Sequence, residues 1–284
     1  MLSAAQMTPV SAAATRAQPS LKQMPVSYSS GVATRPGRAL RILCYGDSMT
    51  VGFCRGGTSF EPYARALAEG ISSLGSMACE ALACGLSGLR ADTMADGLVS
   101  HELVDVCGYR GKGLARILDE RGPFDLVLIM AGTNDMGHYH APARILRSLE
   151  RLHGACRQRG VLSMALAPPP APVRDAAGEA ERLQIVGRLR CMAKAAESRM
   201  ACIDPAELVS SSRPDFWDAD GLHFSPLGSR TFGQKLAALV VRQLLPSLRP
   251  EVPAAPRHVT LPPPRRISQP AAVCRAPAWV LVKA

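Results

Sequence analysis

The chain has 284 residues, of which 47% are apolar, enough for a sizeable core, and no apolar run reaches the 18 residues needed to span a bilayer. Its formal charge of +10 sits at the two ends: residues 1–41 carry five basic residues and no acid, residues 246–284 six basic residues and one acid, and the stretch between is neutral. That distribution excludes a basic groove for nucleic acid in the middle of the chain.

Nine cysteines, an odd number without a Cys-x-x-Cys pair, argue against a zinc ribbon and a secreted disulfide framework. Cys44, Cys79, Cys84 and Cys202 lie in or beside apolar runs, where a reduced thiol behaves as a small hydrophobe. A reducing, intracellular compartment follows, cytoplasmic or organellar. Residues 1–40 are rich in Ala, Ser, Thr and Pro with spaced Arg and lack a continuous apolar segment. They read as a disordered or transit-like tail and not as a secretory signal.

From residue 41 the pattern becomes regular. A buried strand is expected at 41–45, then a Gly-rich connection at 52–57 and a helix over 61–74, with Pro62 in its first turn. A second strand is expected at 77–83 and ends in Cys84-Gly85-Leu86-Ser87-Gly88. Helical segments are expected at 89–99 and 109–121. The run 124–130 is apolar almost throughout and reads as a strand ending in Ala131-Gly132-Thr133-Asn134-Asp135. A helix at 141–159, a strand at 161–167 closed by three prolines, a helix at 178–199 and a short strand at 200–203 follow. Residues 204–221 read as a loop and 227–245 as the last helix.

Strands alternating with helices imply a parallel sheet covered on both faces, here a three-layer α/β/α domain with five strands over 41–246. Nine prolines in 246–284 prevent that segment from continuing a helix or entering a sheet centre, so 247–284 reads as a Pro-rich basic tail.

Ser48, Gly88 and Asn134 each stand just beyond an apolar strand. In a parallel sheet the carboxyl ends share one edge, so these three residues should meet in one crevice. A serine hydroxyl becomes a useful nucleophile only when a base takes its proton. Of six histidines, His223 has the most telling surroundings, Asp218-Ala219-Asp220-Gly221-Leu222-His223. In a turn, the three-residue spacing from Asp220 can bring its carboxylate beside the imidazole; Asp218 and Asp215 are rivals for that role. For the oxyanion, the backbone N–H groups of Ser48 and Gly88 and the side-chain amide of Asn134 are candidate donors.

These four blocks in this order resemble the SGNH, or GDSL-like, hydrolase superfamily of esterases and lipases. Gly46-Asp47-Ser48 stands for the first block, Gly88 for the second, Gly132-Thr133-Asn134-Asp135 for the third and Asp220-Gly221-Leu222-His223 for the last. The resemblance covers about 41–246. It implies a flavodoxin-like fold and a metal- and cofactor-free triad of Ser48, His223 and Asp220, with Ser48, Gly88 and Asn134 as oxyanion donors. Met49 replaces the usual leucine, and Ala83-Cys84 stands where an asparagine often precedes the second-block glycine. The function this implies is hydrolysis of small-molecule carboxylic esters. An acyltransferase with an alcohol or sugar acceptor, and a catalytically weak binding protein on the same scaffold, are the alternatives.

Other signals carry less. Gly108-Tyr109-Arg110-Gly111-Lys112-Gly113 lacks the Ser or Thr of a phosphate loop and reads as a helix connection. His138 and His140 form a His-x-His pair without a carboxylate or cysteine at useful sequence spacing, so they read as substrate-lining or solvated. Gly46-Asp47-Ser48-Met49-Thr50 also lacks the second glycine of the α/β-hydrolase elbow.

Overall fold

In a parallel sheet covered on both faces, every strand residue meets a helix, so central strands must be apolar on both sides. The segments Leu40–Gly46, Cys79–Gly85 and Leu126–Met130 meet that demand, with all but Arg41 and Glu80 buried. The computed structural model describes residues 24–31, 38–75, 77–195 and 199–248, with side chains to 242. Most of the expected tails at 1–40 and 247–284 lies outside these residues.

The elements in chain order are β1 (Val26–Ser30), β2 (Leu40–Gly46), α1 (Ser48–Val51), the short pair β3 (Phe53–Cys54) and β4 (Ser59–Phe60), α2 (Tyr63–Gly75) and β5 (Cys79–Gly85). Next come α3 (Ala91–Asp96), a second short pair β6 (Leu103–Val104) and β7 (Arg110–Gly111), α4 (Leu114–Arg121), β8 (Leu126–Met130) and α5 (Thr133–Gly137). The chain continues with α6 (Pro142–Gln158), β9 (Leu162–Leu166), α7 (Ala176–Lys194), β10 (Met200–Ile203) and α8 (Pro226–Leu248).

The main sheet runs β1-β5-β2-β8-β9-β10, and all neighbours are parallel except the outer pair β1–β5. From β2 the chain passes to β5 on one side, then crosses to β8 on the other. This reversal opens a crevice at the carboxyl ends of β2 and β8, where open α/β sheets take their ligands. Helices α2 and α8 cover one face, with Tyr63 and Phe232 in edge-to-face contact at 5.2 Å. On the other face α3, α4, α6 and α7 enclose a core of Leu43, Tyr45, Leu82, Val127 and Ile129 with Leu114, Ile117, Ile145 and Leu149.

Three boundaries differ from expectation for identifiable reasons. β1 falls inside the segment read as a tail: Val-Ser-Tyr-Ser-Ser alternates in burial and pairs with 79–83, but its serines hide the alternation among polar residues. The helix expected over 109–121 begins only at Leu114. Residues 110–111 belong to the β6–β7 ribbon, and a side chain on Gly113 would lie 2.0 Å from the Gly97 carbonyl. Residues 133–137, read only as the end of the strand at 124–130, form the short helix α5, which carries Asn134.

The far end of the sheet is held by a buried ion pair. Arg182 on α7 is 2% exposed; its guanidinium lies 2.7 Å from Asp204, just past β10, and 2.8 Å from Glu179. Removing the arginine leaves Asp204 charged and buried without its partner. Urea unfolding of Arg182→Met should show a loss of about 3–5 kcal/mol, and a loss below about 1 kcal/mol would assign the pair a passive role.

Candidate active site

The first block is shaped by two close approaches. A Cβ on Gly46 would lie 2.0 Å from the Met130 carbonyl oxygen, and one on Gly85 would lie 2.2 Å from the Val51 nitrogen. Only glycine at these positions lets α1 settle directly onto the ends of β5, β2 and β8. Asp47 caps α1, its Oδ1 accepting from Met49 N–H at 3.0 Å, which places Ser48 at the first helical position. Ser48 is 7% exposed. The N–H of a first helical residue has no acceptor within its helix, and Ser48 N–H has none among the described residues.

The last block comes from the loop before α8. Asp220 Oδ1 accepts from Leu222 N–H at 2.8 Å and His223 N–H at 2.9 Å, while its Oδ2 lies 2.6 Å from His223 Nδ1. One carboxylate therefore both bends the chain and holds the ring. Across 175 residues of sequence, His223 Nε2 reaches Ser48 Oγ at 2.9 Å. Partial burial acts to raise the Asp220 carboxyl, but the bonds from the His223 ring and from the two N–H groups outweigh it and hold it below the ordinary carboxylate range. An ionised Asp220 accepts a hydrogen bond from Nδ1–H, a tautomer in which Nε2 faces the serine with its lone pair.

The loop is anchored on several sides. Asp218 N–H donates to the His223 carbonyl, Asp218 Oδ2 accepts from Arg55 N–H at 2.6 Å, and Trp217 pairs with Phe224 across a bridge. The ring of Phe53 packs against the imidazole at 4.6 Å. Asp215 pairs instead with Arg213, outside the histidine's reach as a partner. The geometry thus separates the three rival acids: Asp220 contacts the ring, Asp218 braces the loop, and Asp215 engages a surface arginine.

Gly88 and Asn134 arrive by linked routes. Gly88 has φ +74°, a conformation favouring glycine, and a side chain there would meet Val106 at 2.6 Å. Its N–H carries no hydrogen bond among the described residues. The loop carrying it is held by Asp105, which accepts from the N–H groups of Ser87, Cys107 and Tyr109. Asn134 Nδ2 donates to the Leu89 carbonyl at 2.9 Å. That bond fixes the amide's orientation and leaves its second N–H available. Neighbouring Asp135, fully buried, accepts from Ala91 N–H at 2.7 Å and ties α5 to the start of α3.

Asp105, Asp135 and Phe53 were not singled out from sequence as parts of a site. An acid inside each block's vicinity is too common a signal, and the bonds that tie the two carboxylates to the site, Asp105 to Ser87 and Asp135 to Ala91, span 18 and 44 residues. The structure also corrects the reading of His140 as lacking carboxylate neighbours: its Nδ1 lies 3.6 Å from Asp135 Oδ1 and 3.8 Å from Asp92 Oδ2. These three residues are the set among the described residues that could hold a cation. Asp92, however, is already paired with Arg90 at 3.1 Å and Arg144 at 2.7 Å, so its charge is compensated. His138 is exposed and Arg55 engages the His loop through its backbone. The described cysteines carry no disulfide.

The sequence profile of the family described as GDSL-like lipase/acylhydrolase matches residues 44–231. Among solved structures, the chain is similar to a carbohydrate acetylesterase family member from Sinorhizobium meliloti, with 23% identity and a TM-score of 0.54 over 71% of this chain and 97% of that one. It is similar also to the lipase/acylhydrolase from Enterococcus faecalis, with 22% identity and a TM-score of 0.52 over 75% and 98%. A third is the lipase Lip_vut3 from a goat rumen metagenome, with 15% identity and a TM-score of 0.57 over 70% and 97%. At these identities the likeness is one of fold. A search of curated proteins finds no match.

Asp47 offers a check on the electrostatics of the first block. Burial of its charged form raises the carboxyl to about 7, despite the bond from Met49 N–H. The unfolded group titrates near pH 4. Below that pH it is neutral in both states; above about 7 it is charged in both, and the folded state carries the full desolvation penalty. Wild-type stability should therefore fall with rising pH across this window, relative to Asp47→Asn, which keeps an acceptor for Met49. Urea unfolding at several pH values should show the variant's relative gain grow from pH 4 to 7, reaching at most about 4 kcal/mol. A difference independent of pH would show that Asp47 does not titrate there.

Proposed function

The chain belongs to the GDSL-like lipase/acylhydrolase family, and on that premise we propose that it is a serine hydrolase cleaving carboxylic esters through an acyl-enzyme. The observation that carries the proposal is the continuous contact Ser48 Oγ–His223 Nε2–Nδ1–Asp220, at 2.9 and 2.6 Å. In this reading Ser48 Oγ attacks the ester carbonyl as His223 Nε2 takes its proton. The carbonyl oxygen becomes an oxyanion facing Ser48 N–H, Gly88 N–H and the free N–H of Asn134. Collapse breaks the bond to the alcohol oxygen, which leaves with the proton from Nε2. Water, deprotonated by the same nitrogen, attacks the acyl group and releases the acid and the serine.

The assignments rest on distinct supports. Ser48 Oγ and His223 Nε2 face each other at 2.9 Å, within reach of a direct proton transfer. Asp220, ionised, stabilises the imidazolium that forms in the transition state. The two backbone donors carry no hydrogen bond among the described residues, and Asn134 is held in orientation by Leu89. The names of the similar structures, an acetylesterase and lipases, favour carboxylic esters as the substrate class.

Hydrolysis of p-nitrophenyl acetate tests the reading. Ser48→Ala should abolish turnover and labelling of the protein by a fluorophosphonate, and turnover surviving that change would falsify the proposal. Asn134→Ala should lower kcat by about 10²–10³ if its amide meets the oxyanion; an unchanged kcat removes it from that role. Asp220→Asn should be far more damaging than Asp218→Asn, and the reverse order would transfer the acid's role to Asp218.

A further inference from the structure

Beside Asn134, two buried polar atoms carry no hydrogen bond among the described residues: Oδ1 of Asp135 on α5 and Nδ1 of His140 in the turn after it. They face each other at 3.6 Å, and Oδ2 of Asp92, in the first turn of α3, lies 3.8 Å from the same nitrogen. Asp135 is fully buried, and its other oxygen accepts from Ala91 N–H. Arg90 and Arg144 neutralise Asp92, at 3.1 and 2.7 Å, and among the described residues neither pairs with Asp135. Burial acts to raise the Asp92 carboxyl, but the bonds from Arg144, Arg90 and Thr93 N–H outweigh it and hold it below the ordinary carboxylate range. Asp92 is therefore ionised, as a metal ligand must be.

Three ways of completing this cluster can be compared. A protonated imidazole paired directly with Asp135 would close to about 2.7–2.9 Å, well short of the 3.6 Å found. A water would satisfy both atoms but would add no positive charge to a buried carboxylate. A divalent cation does both. Around a tetrahedral zinc ion, with nitrogen at about 2.0–2.1 Å and oxygen at about 2.0–2.2 Å, the ligand atoms stand about 3.3–3.5 Å apart. The two distances from the His140 nitrogen exceed that by only a few tenths of an ångström. An imidazole ligand disfavours magnesium and calcium, which take oxygen, and favours a first-row transition ion.

We propose that Asp135, His140 and Asp92 form a binding site for a divalent transition ion of the zinc kind, which clamps α5 and the turn after it to α3. The inference does not depend on the esterase reading. Asn134 and Asp135 already bond to Leu89 and Ala91, the segment that leads into α3. An ion joining Asp135 to Asp92 ties the same two elements at a third point. Arg144, which shares Oδ2 of Asp92, has a side chain 53% exposed and can turn into solvent as the ion enters.

Calorimetric titration of the full-length protein with zinc chloride, after dialysis against a chelator, tests the site. His140→Ala should weaken binding of one equivalent at least about tenfold and remove the rise in Tm that zinc gives the wild type. Asp135→Asn keeps an acceptor for Ala91 N–H. It should lose the zinc in the same way while its metal-free Tm stays the same or rises, because the uncompensated charge is gone. His138→Ala, which changes the exposed neighbour two residues away, should leave affinity and Tm shift unchanged, as should Cys107→Ser and Cys191→Ser at the exposed thiols. A tenfold excess of magnesium over zinc should not displace the ion. Absence of zinc binding, binding that survives both His140→Ala and Asp135→Asn, or binding lost equally in His138→Ala or the thiol variants overturns the proposal.

Discussion

The site depends on how closely a short helix can approach the ends of three strands. Gly46 removes a side chain that would strike the Met130 carbonyl of β8 and Thr50 of α1, and Gly85 removes one that would strike Val51 of α1. The clearances are 2.0 and 2.2 Å for a Cβ, well inside van der Waals contact, so no small adjustment substitutes for glycine. With α1 seated, Ser48 takes its place at a helix N-terminus, its N–H pointing away from any intrahelical acceptor. The same seating sets the position that a loop 175 residues further on must meet. Everything else at the site is arranged around a serine whose place is set by backbone contact.

Electrostatically the site divides into a dry half and a wet half. Asp47 and Asp135 are fully buried and act on backbone N–H groups, capping α1 and joining α5 to α3. Asp220 remains partly exposed, with 41% of its side chain accessible. Three hydrogen bonds outweigh the desolvation that acts on it, whereas the bond from Met49 does not offset the burial that lifts Asp47 to about 7. On the proposed assignment Asp220 is a triad acid and must stay charged, whereas a structural carboxyl can be protonated and still accept a bond. The placement of the two kinds of carboxyl follows that difference.

Much of this was readable before any coordinates. The parallel sheet followed from apolar runs alternating with helical periods, and Ser48, Gly88 and Asn134 stood out because each follows such a run. Asp220 and His223 were legible because three residues spanning a glycine form a local turn, whose geometry depends little on the rest of the fold. What could not be read were contacts set by distant partners. Asp105 organises the Gly88 loop from a two-stranded ribbon whose strands are two residues each, too short to show a period. Strand β1 is legible only against β5, since its own serines carry no apolar signal.

The His223 loop has a further consequence for how the protein comes into being. Ser48 leaves the ribosome early, whereas Asp220 and His223 are synthesised after β10 and must dock beside it, with Asp218 bound to Arg55 and Trp217 bridged to Phe224. On the proposed assignments, a nascent chain carries an inert hydroxyl until nearly the whole domain has been made and closed. Hydrolytic competence then reports on completed folding: a chain that stalls, is clipped, or loses the final loop presents the serine without its base. The long separation between nucleophile and activator acts as a safeguard in time, keeping a reactive group silent in every unfinished molecule.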